Sequence, residues 1–417
     1  MAPSAVDVYP TSRFHDLKIK AQEIVSQKTA PVKLVKAPMQ LTGALDKFES
    51  FDMTPVIGKE FPKANLAQWL QAPNADELIR DLAVTDKVWK TSVFPAWAST
   101  CYTCYQHFFL KCGTDYRKVS QRGVVFFRAQ DDLTNDLQKQ LCQKLGELTG
   151  KPADSSMHIH PISNKSFQCN KDDEISVISN DLATKIFTDR KTEQHKKKQS
   201  LKKGWHSDIT FEPAPSDYAI LKLTDIPTLG GDTLWASGYE VYDRFSPAYQ
   251  KFLDGLTATY AQPLFTQAAK EQKFKLYTEP RGSPLNIGDE LSTEHPVIRT
   301  NPVTGWKTVF AVGHHVQHIN GLTENESSHL LNEFLRMITE NHDLQVRFKW
   351  NNKNDLAIWD NRSTYHAATY DYDANGLRTG QRCVGIGERP YFDPASKSKR
   401  EAEGEEYFEP GEGFTVF

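Results

Sequence analysis

Gly204-Trp205-His206-Ser207-Asp208-Ile209-Thr210-Phe211 places an imidazole and a carboxylate two residues apart in a run that reads as extended. Side chains at i and i+2 of a strand project from one face, so His206 and Asp208 are expected to converge on one point. A neutral imidazole nitrogen beside a carboxylate oxygen is a donor pair that suits a divalent iron, and one more histidine would complete a facial triad. The rest of the chain has to supply the scaffold and the third donor.

Upstream of this stretch, residues 189–203 form a charge run with His195-Lys196-Lys197-Lys198 inside it, a solvated loop placed to act as a lid. Downstream, 218–223 reads as a strand, and Leu229-Gly230-Gly231-Asp232-Thr233-Leu234-Trp235 as a glycine turn that opens another. Thr233 then stands at a strand start, its hydroxyl able to donate to a bound carboxylate. Residues 236–256 read as helical, and 295–300 with 307–312 as a hairpin turned at 302–305. Thr323 and Glu326 have capping-box spacing, opening a helix toward Thr339. Leu356 to Asn361 is a strand running into a turn ahead of His366. Arg378 and Arg382 lie at even spacing on one segment, and Arg382 opens the apolar run Cys383-Val384-Gly385-Ile386. Both guanidiniums can therefore face one interior, where they grip carboxylates or sulfonates in bidentate fashion. Toward the amino terminus, helical spacing at 65–70 and 76–83 precedes a buried-strand pattern at 123–128. A helical face at 133, 137, 141, 145 and 148 follows, then His158 and His160 in alternation at a strand end.

The 417 residues carry a net charge of −3 with 39% hydrophobic content, enough to bury one large core. No basic face accumulates, so no nucleic-acid partner is expected. No run of about 18 apolar residues exists for a membrane, and Met1 to Phe14 lacks the features of a signal peptide. A cytoplasmic protein is expected, with a homo-oligomer left open and the six cysteines held as thiols. Residues 1–50 are polar and proline-punctuated, an arm laid over the surface or partly disordered; 51–417 reads as a single domain. Within it, 85–118 is an aromatic, cysteine-rich block unlike its flanks, read as an insertion or as translated intron sequence. Its Cys101, Cys104, Cys112 and His107 lack the matched second pair of a structural zinc site.

From about Gly123 to Phe392 the chain resembles the TauD/TfdA family of iron(II)- and 2-oxoglutarate-dependent dioxygenases, most of all the taurine and sulfonate dioxygenases of fungi and bacteria. The matching stretches are His158-Ile159-His160-Pro161, Trp205 to Phe211, Gly230 to Trp235, His295 to Arg299, Trp359-Asp360-Asn361-Arg362 with His366, and Arg378 with Arg382. The resemblance implies a mainly β fold, a double-stranded β-helix (jelly-roll) core with flanking helices. It implies His206, Asp208 and His366 as iron ligands, and Thr233 and Arg378 on the carboxylates of 2-oxoglutarate. His160, Ile209, Phe211 and Arg382 would face a small anionic substrate. The implied chemistry takes Fe(II), 2-oxoglutarate and O2 and releases succinate and CO2; a sulfonate hydroxylated beside sulfur would collapse to an aldehyde and sulfite. Ser163 stands where the family's taurine enzymes carry a tyrosine, which turns the expectation away from taurine itself.

Two other readings stand beside the sulfonate one. The same iron chemistry could act on an amino acid or another small acid of fungal specialised metabolism, and sulfite release separates the two. A metal-free jelly-roll binding protein is the third, and the retention of all three ligands with Thr233 and Arg378 speaks against it.

Overall fold

The computed structural model describes residues 39, 41–84, 119–162, 171–179, 182, 202–372 and 375–405. The block 85–118, Ser163, most of the 189–203 run and most of the 1–50 arm lie outside the described residues. The chain divides into Met1–Lys36 and Ala37–Phe417, and the described residues all belong to the second unit.

Its main element is a seven-stranded sheet in the order Phe51–Asp52, Lys59–Phe61, Val124–Phe127, Leu356–Asp360, Ser216–Asp225, Thr379–Ile386, Ser176–Ser179. Every pairing is antiparallel except that of Lys59–Phe61 with Val124–Phe127. The two-residue period of a strand sorts its side chains between two cores. Val125, Phe127, Tyr218, Ile220, Leu356, Ile358 and Cys383 face helices on one side, among them Asn135–Glu147 with its buried Leu141 and Leu145. Val124, Phe126, Ala219, Leu221, Ala357, Trp359 and Val384 face the other way. With both faces covered, the central strands read as near-continuous apolar runs rather than as alternating ones.

The second face packs on a three-stranded antiparallel sheet, Gln345–Phe348, Thr233–Ser237 and Thr364–Ala368. Aromatic rings fill the gap: Phe348 stacks on Phe126 at 4.1 Å, and Trp235 meets Phe126 at 5.3 Å and Trp359 at 5.8 Å. A third cluster lies under the helix Glu324–Glu340, whose Leu330, Phe334 and Ile338 pack with Val309 and Phe310. That helix starts on the expected capping box of Thr323 and Glu326. The hairpin Ile298–Thr300 with Lys307–Val309 also forms, with Gly305 at φ +70° in its turn.

Two local expectations give way. Residues 236–256 are not one helix: the strand runs to Ser237, then Gly238–Asp243 and Pro247–Leu253 form separate helices. Ser246 caps the second by accepting from the Tyr249 N–H, and Pro247 has no N–H with which to continue the first. Met157 makes an isolated bridge to Gly385 rather than ending a strand. In the described part of the arm, the Thr42 and Ala44 N–H groups donate to the Asp81 carboxylate at 2.8 and 2.9 Å, and Leu45 is buried while its neighbours stay half-buried or exposed. Among the described residues no helix is long and apolar enough to cross a membrane.

Candidate metal centre

The stretch around His206 and Asp208 is not a strand. His206 forms a single antiparallel bridge with His366, with backbone hydrogen bonds of 3.1 and 2.9 Å in the two directions. From Asp208 the chain turns, and Ile209 takes the left-handed φ of +48°. Buried polar contacts hold that turn. The Asp208 N–H donates to Asn361 Oδ1 at 3.0 Å, Trp359 Nε1 donates to the same oxygen at 2.9 Å, and Asn361 Nδ2 donates to Ser216 Oγ. His206 and Asp208 do converge, but through a bridge followed by a turn and not through a shared strand face.

The structure brings His206, Asp208 and His366 together, with one donor atom from each lying within 4.8 Å of the others. The Nε2 atoms of His206 and His366 stand 4.0 and 3.8 Å from Asp208 Oδ1. His206 Nδ1 lies 2.8 Å from the Gly204 carbonyl and must donate to it, which leaves the Nε2 lone pair for the centre. Burial first, then the neighbouring His366, pushes the His206 pKa down to about 4; burial likewise takes His366 to about 4 against the pull of Asp208. Burial alone would raise Asp208, but Arg382 and the two imidazoles outweigh it and hold the carboxyl below its ordinary range. Two neutral imidazoles and a carboxylate are the protonation states a divalent metal requires. Asp208 Oδ2 is buried without a partner, so the protein has not spent that oxygen elsewhere. The donor set fits iron(II).

Thr233 and Arg378 meet as a pair: Thr233 Oγ1 accepts from Arg378 Nη2 at 3.0 Å and from Trp350 Nε1 at 3.2 Å. Arg378 Nε donates to the Gly231 carbonyl at 2.8 Å. Gly231 sits at φ +74°, and a Cβ there would lie 3.1 Å from Arg378 Cδ, so the glycine turn is what admits the guanidinium. Arg382 reaches the centre from the strand Thr379–Ile386, which Arg378 immediately precedes, its Nη1 2.5 Å from Asp208 Oδ1 and its Nε buried without a partner. His160 is held by its Nδ1, 3.1 Å from the backbone of Ile162, and its ring lies 4.9 Å from Phe265. Phe211 is buried edge-on to Phe265 at 5.7 Å and to His315 at 5.0 Å, and Ile209 is buried in the core between the sheets.

The sequence reading did not pick out several residues that shape this site. Glu212 is clamped by Arg281 at 2.5 and 2.8 Å and lies 3.3 Å from His158 Nε2. Trp350 acts on Thr233 through a long-range contact that no local pattern announces, and Asn361, which the sequence reading took only as part of the stretch 359–362, holds the Asp208 N–H through another. His314, with its ring 5.0 Å from that of His206, and His315 were more legible, since paired histidines after a glycine at a strand end are a visible signal.

Residues 115–384 match the family described as taurine catabolism dioxygenase TauD, TfdA family. The chain is 46% identical over 400 residues to alpha-ketoglutarate-dependent dioxygenase esdpJ of Penicillium shearii, covering 89% of this chain and 97% of that one. It is 30% identical over 277 residues to the alpha-ketoglutarate-dependent sulfonate dioxygenase of Saccharomyces cerevisiae, covering 66% and 60%. The fold is shared with the crystal structure of a taurine dioxygenase from Burkholderia xenovorans, at 23% identity and a TM-score of 0.52 over 84% of this chain and 92% of that one. The chain belongs to the TauD/TfdA family and is an alpha-ketoglutarate-dependent dioxygenase.

Proposed function

We propose that His206, Asp208 and His366 hold iron(II), that Thr233 and Arg378 bind a carboxylate of 2-oxoglutarate, and that Arg382 with His160 takes the acid group of a small substrate, in the first instance a sulfonate. The observation that carries the substrate half is Arg382: a guanidinium beside the triad with a buried, unpartnered Nε has donors to spare for an anion. When bound, iron(II) supplies the coupling of O2 reduction and 2-oxoglutarate decarboxylation, with loss of CO2 and succinate, to oxidation of a substrate C–H bond. The chain's own residues position the reactants. Arg378 offers a rigid fork, Arg382 tethers the acid so that a fixed carbon faces the centre, and the buried walls exclude water. The two facing sheets are read as the halves of a double-stranded β-helix, with the triad at one mouth.

The same chemistry on a carboxylic or amino acid is the second reading. It is favoured by the 46% identical relative, whose name carries no sulfonate, over the 30% identical one, whose name does. Anaerobic addition of iron(II) and 2-oxoglutarate should give a metal-to-ligand charge-transfer band that is lost in His206→Ala or Asp208→Ala. A band at full strength in either variant removes the ligand assignment. A panel of sulfonates and carboxylates, scored by stimulated succinate formation and by sulfite, then separates the two acids. Stimulation by uncharged compounds alone removes both.

A further inference from the structure

The segment Phe310 to His315 leaves the strand Lys307–Val309 and passes directly against the triad. Gly313 makes the passage feasible: it sits at φ +107°, and a Cβ there would lie 2.8 Å from His206 Cβ. The close approach carries the His315 ring to 6.5 Å from that of His206. His315 is only 5% exposed, and its Nδ1 lies 2.9 Å from the Thr210 hydroxyl. Its Nε2 has no partner among the described residues. Burial above all, then the neighbouring imidazoles of His314, His206 and His160, and Arg382 after them, keep the ring neutral. His315 thus stands beside His206, whose Nε2 lies 4.0 Å from the Asp208 oxygen that Arg382 holds. It shares the Phe211 and Phe265 wall with His160: its ring is 5.0 Å from Phe211, Phe211 is 5.7 Å from Phe265, and Phe265 is 4.9 Å from His160.

A phenyl ring would fill this place without leaving a polar atom to satisfy, and the adjoining wall is built that way, from Phe211 and Phe265. His315 Nε2 is not among the fully buried orphaned atoms, as Asp208 Oδ2 and Arg382 Nε are, so this largely buried imidazole keeps its second nitrogen accessible beside the triad and can offer it to a ligand that displaces water there. The surroundings narrow the choice of ligand. A cationic group would be repelled by Arg382, and a second carboxylate would want a further cation, while a neutral imidazole offers one donor or one acceptor. A hydroxyl, able to serve in either sense, matches it.

We propose that His315 is a specificity-determining residue that hydrogen-bonds a hydroxyl of the substrate through Nε2, so that the substrate is a small hydroxylated acid rather than a plain alkyl acid. This rests on Arg382 as the acid anchor. The probes are two matched pairs: butane-1-sulfonate with 4-hydroxybutane-1-sulfonate, and pentanoate with 5-hydroxypentanoate. The readouts are perturbation of the anaerobic iron and 2-oxoglutarate charge-transfer band and stimulated succinate formation. In the unaltered enzyme the hydroxylated member of at least one pair should half-saturate at about tenfold lower concentration, in line with one hydrogen bond at a site built for it. His315→Phe should bring that ratio to near unity while leaving the band formed by iron and 2-oxoglutarate alone unchanged. His315→Gln, which keeps a donor and an acceptor, should retain most of the preference. An unchanged ratio in both variants, or plain acids that bind the unaltered enzyme as well as hydroxylated ones, overturns the role of His315 and leaves the acid anchor standing. The anchor is tested separately: Arg382→Ala should weaken both members of each pair alike, and if it weakens neither, or if none of the four acids perturbs the band, anchor and inference fall together.

Discussion

At the scale of single residues, Arg378 and Arg382 are expected to divide the ligands between them. Arg378 is spent on Thr233 and the Gly231 carbonyl at one end of the site, and Arg382 on Asp208 at the other. Truncating one partner of a desolvated charge pair typically costs about 2–5 kcal/mol, so Arg382→Ala should raise the substrate concentration needed by roughly 30-fold to several thousandfold. Its 2-oxoglutarate curve should move far less, and Arg378→Ala should show the converse; saturation curves for both ligands in both variants check this. Thr233 carries a finer expectation. Its oxygen accepts from Arg378 and from Trp350, which uses both lone pairs and leaves the hydroxyl hydrogen directed away as a donor to an anion. Trp350→Phe should release that constraint and weaken 2-oxoglutarate about two- to tenfold, the range of one neutral hydrogen bond. Because Trp350 acts through the hydroxyl, the Trp350→Phe, Thr233→Val double variant should bind 2-oxoglutarate no worse than Thr233→Val alone. If the two losses add, Trp350 is only a core residue and has no part in orienting Thr233.

At the scale of elements, the flanks of the 85–118 block can be placed although the block lies outside the described residues. The Ala83 carbonyl and the Ser120 hydroxyl both bond Tyr218 Oη, at 3.3 and 3.0 Å, so the helix Ala75–Ala83 and the short helix Val119–Arg122 end against one atom. A direct join of Val84 to Val119 therefore spans little distance. Deleting 85–118 should leave a soluble protein with the iron and 2-oxoglutarate charge-transfer band intact, and a deleted chain that fails to fold while the full chain is soluble refutes the insertion reading. The flanking elements were legible because their patterns are local: apolar spacing for Leu66–Gln71 and Ala75–Ala83, a continuous apolar run for Val124–Phe127, a capping box before Glu324. The convergence of the triad was legible for a partly mistaken reason. A strand period was expected to align His206 with Asp208, whereas the bridge to His366 and the turn held by Asn361 align them. That turn depends on a contact 153 residues away in sequence, as the Thr233 hydroxyl depends on Trp350 and the His315 ring on Thr210. Contacts of that kind leave no periodic trace, so motif reading picked out His206, Asp208 and His366, which the structure brings together, and missed what orients them.

At the scale of the whole molecule, the site fills the interior with imidazoles that must stay neutral, and this sets how the fold responds to acid. Burial is the leading cause in each case: it takes His160 and His295 down to about 3 and His206 and His366 to about 4, and it lowers His158 and His315 as well. In the unfolded chain each would titrate near about 6.5. Below that pH the unfolded state binds protons that the folded state refuses, so stability is full above about pH 6.5 and falls as the pH drops toward the folded values of 3 to 4. Each such histidine costs on the order of 1.4 kcal/mol per pH unit across that window. Two carboxyls run the other way: burial raises Asp243 to about 6 and raises Asp217, so their share is present at low pH and is lost as the pH rises through the folded values. Six histidines outnumber two carboxyls, and a net loss of several kcal/mol by pH 5 is comparable to the whole stability of an ordinary domain. Chelated, metal-free protein should therefore show a thermal midpoint that drops steeply between pH 7 and pH 5 and unfold near the lower end at ambient temperature. His295→Gln tests the cause away from the proposed metal ligands. His295 Nε2 lies 3.1 Å from the Thr210 and Glu212 carbonyls, and an amide N–H can donate there without a titratable nitrogen. That variant should lose less stability between pH 7 and pH 5 than the unaltered chain, whatever its stability at pH 7. A midpoint that is flat or rises toward pH 5 in the unaltered chain, or an equal acid slope in the variant, means that the buried imidazoles are not what makes the fold acid-labile.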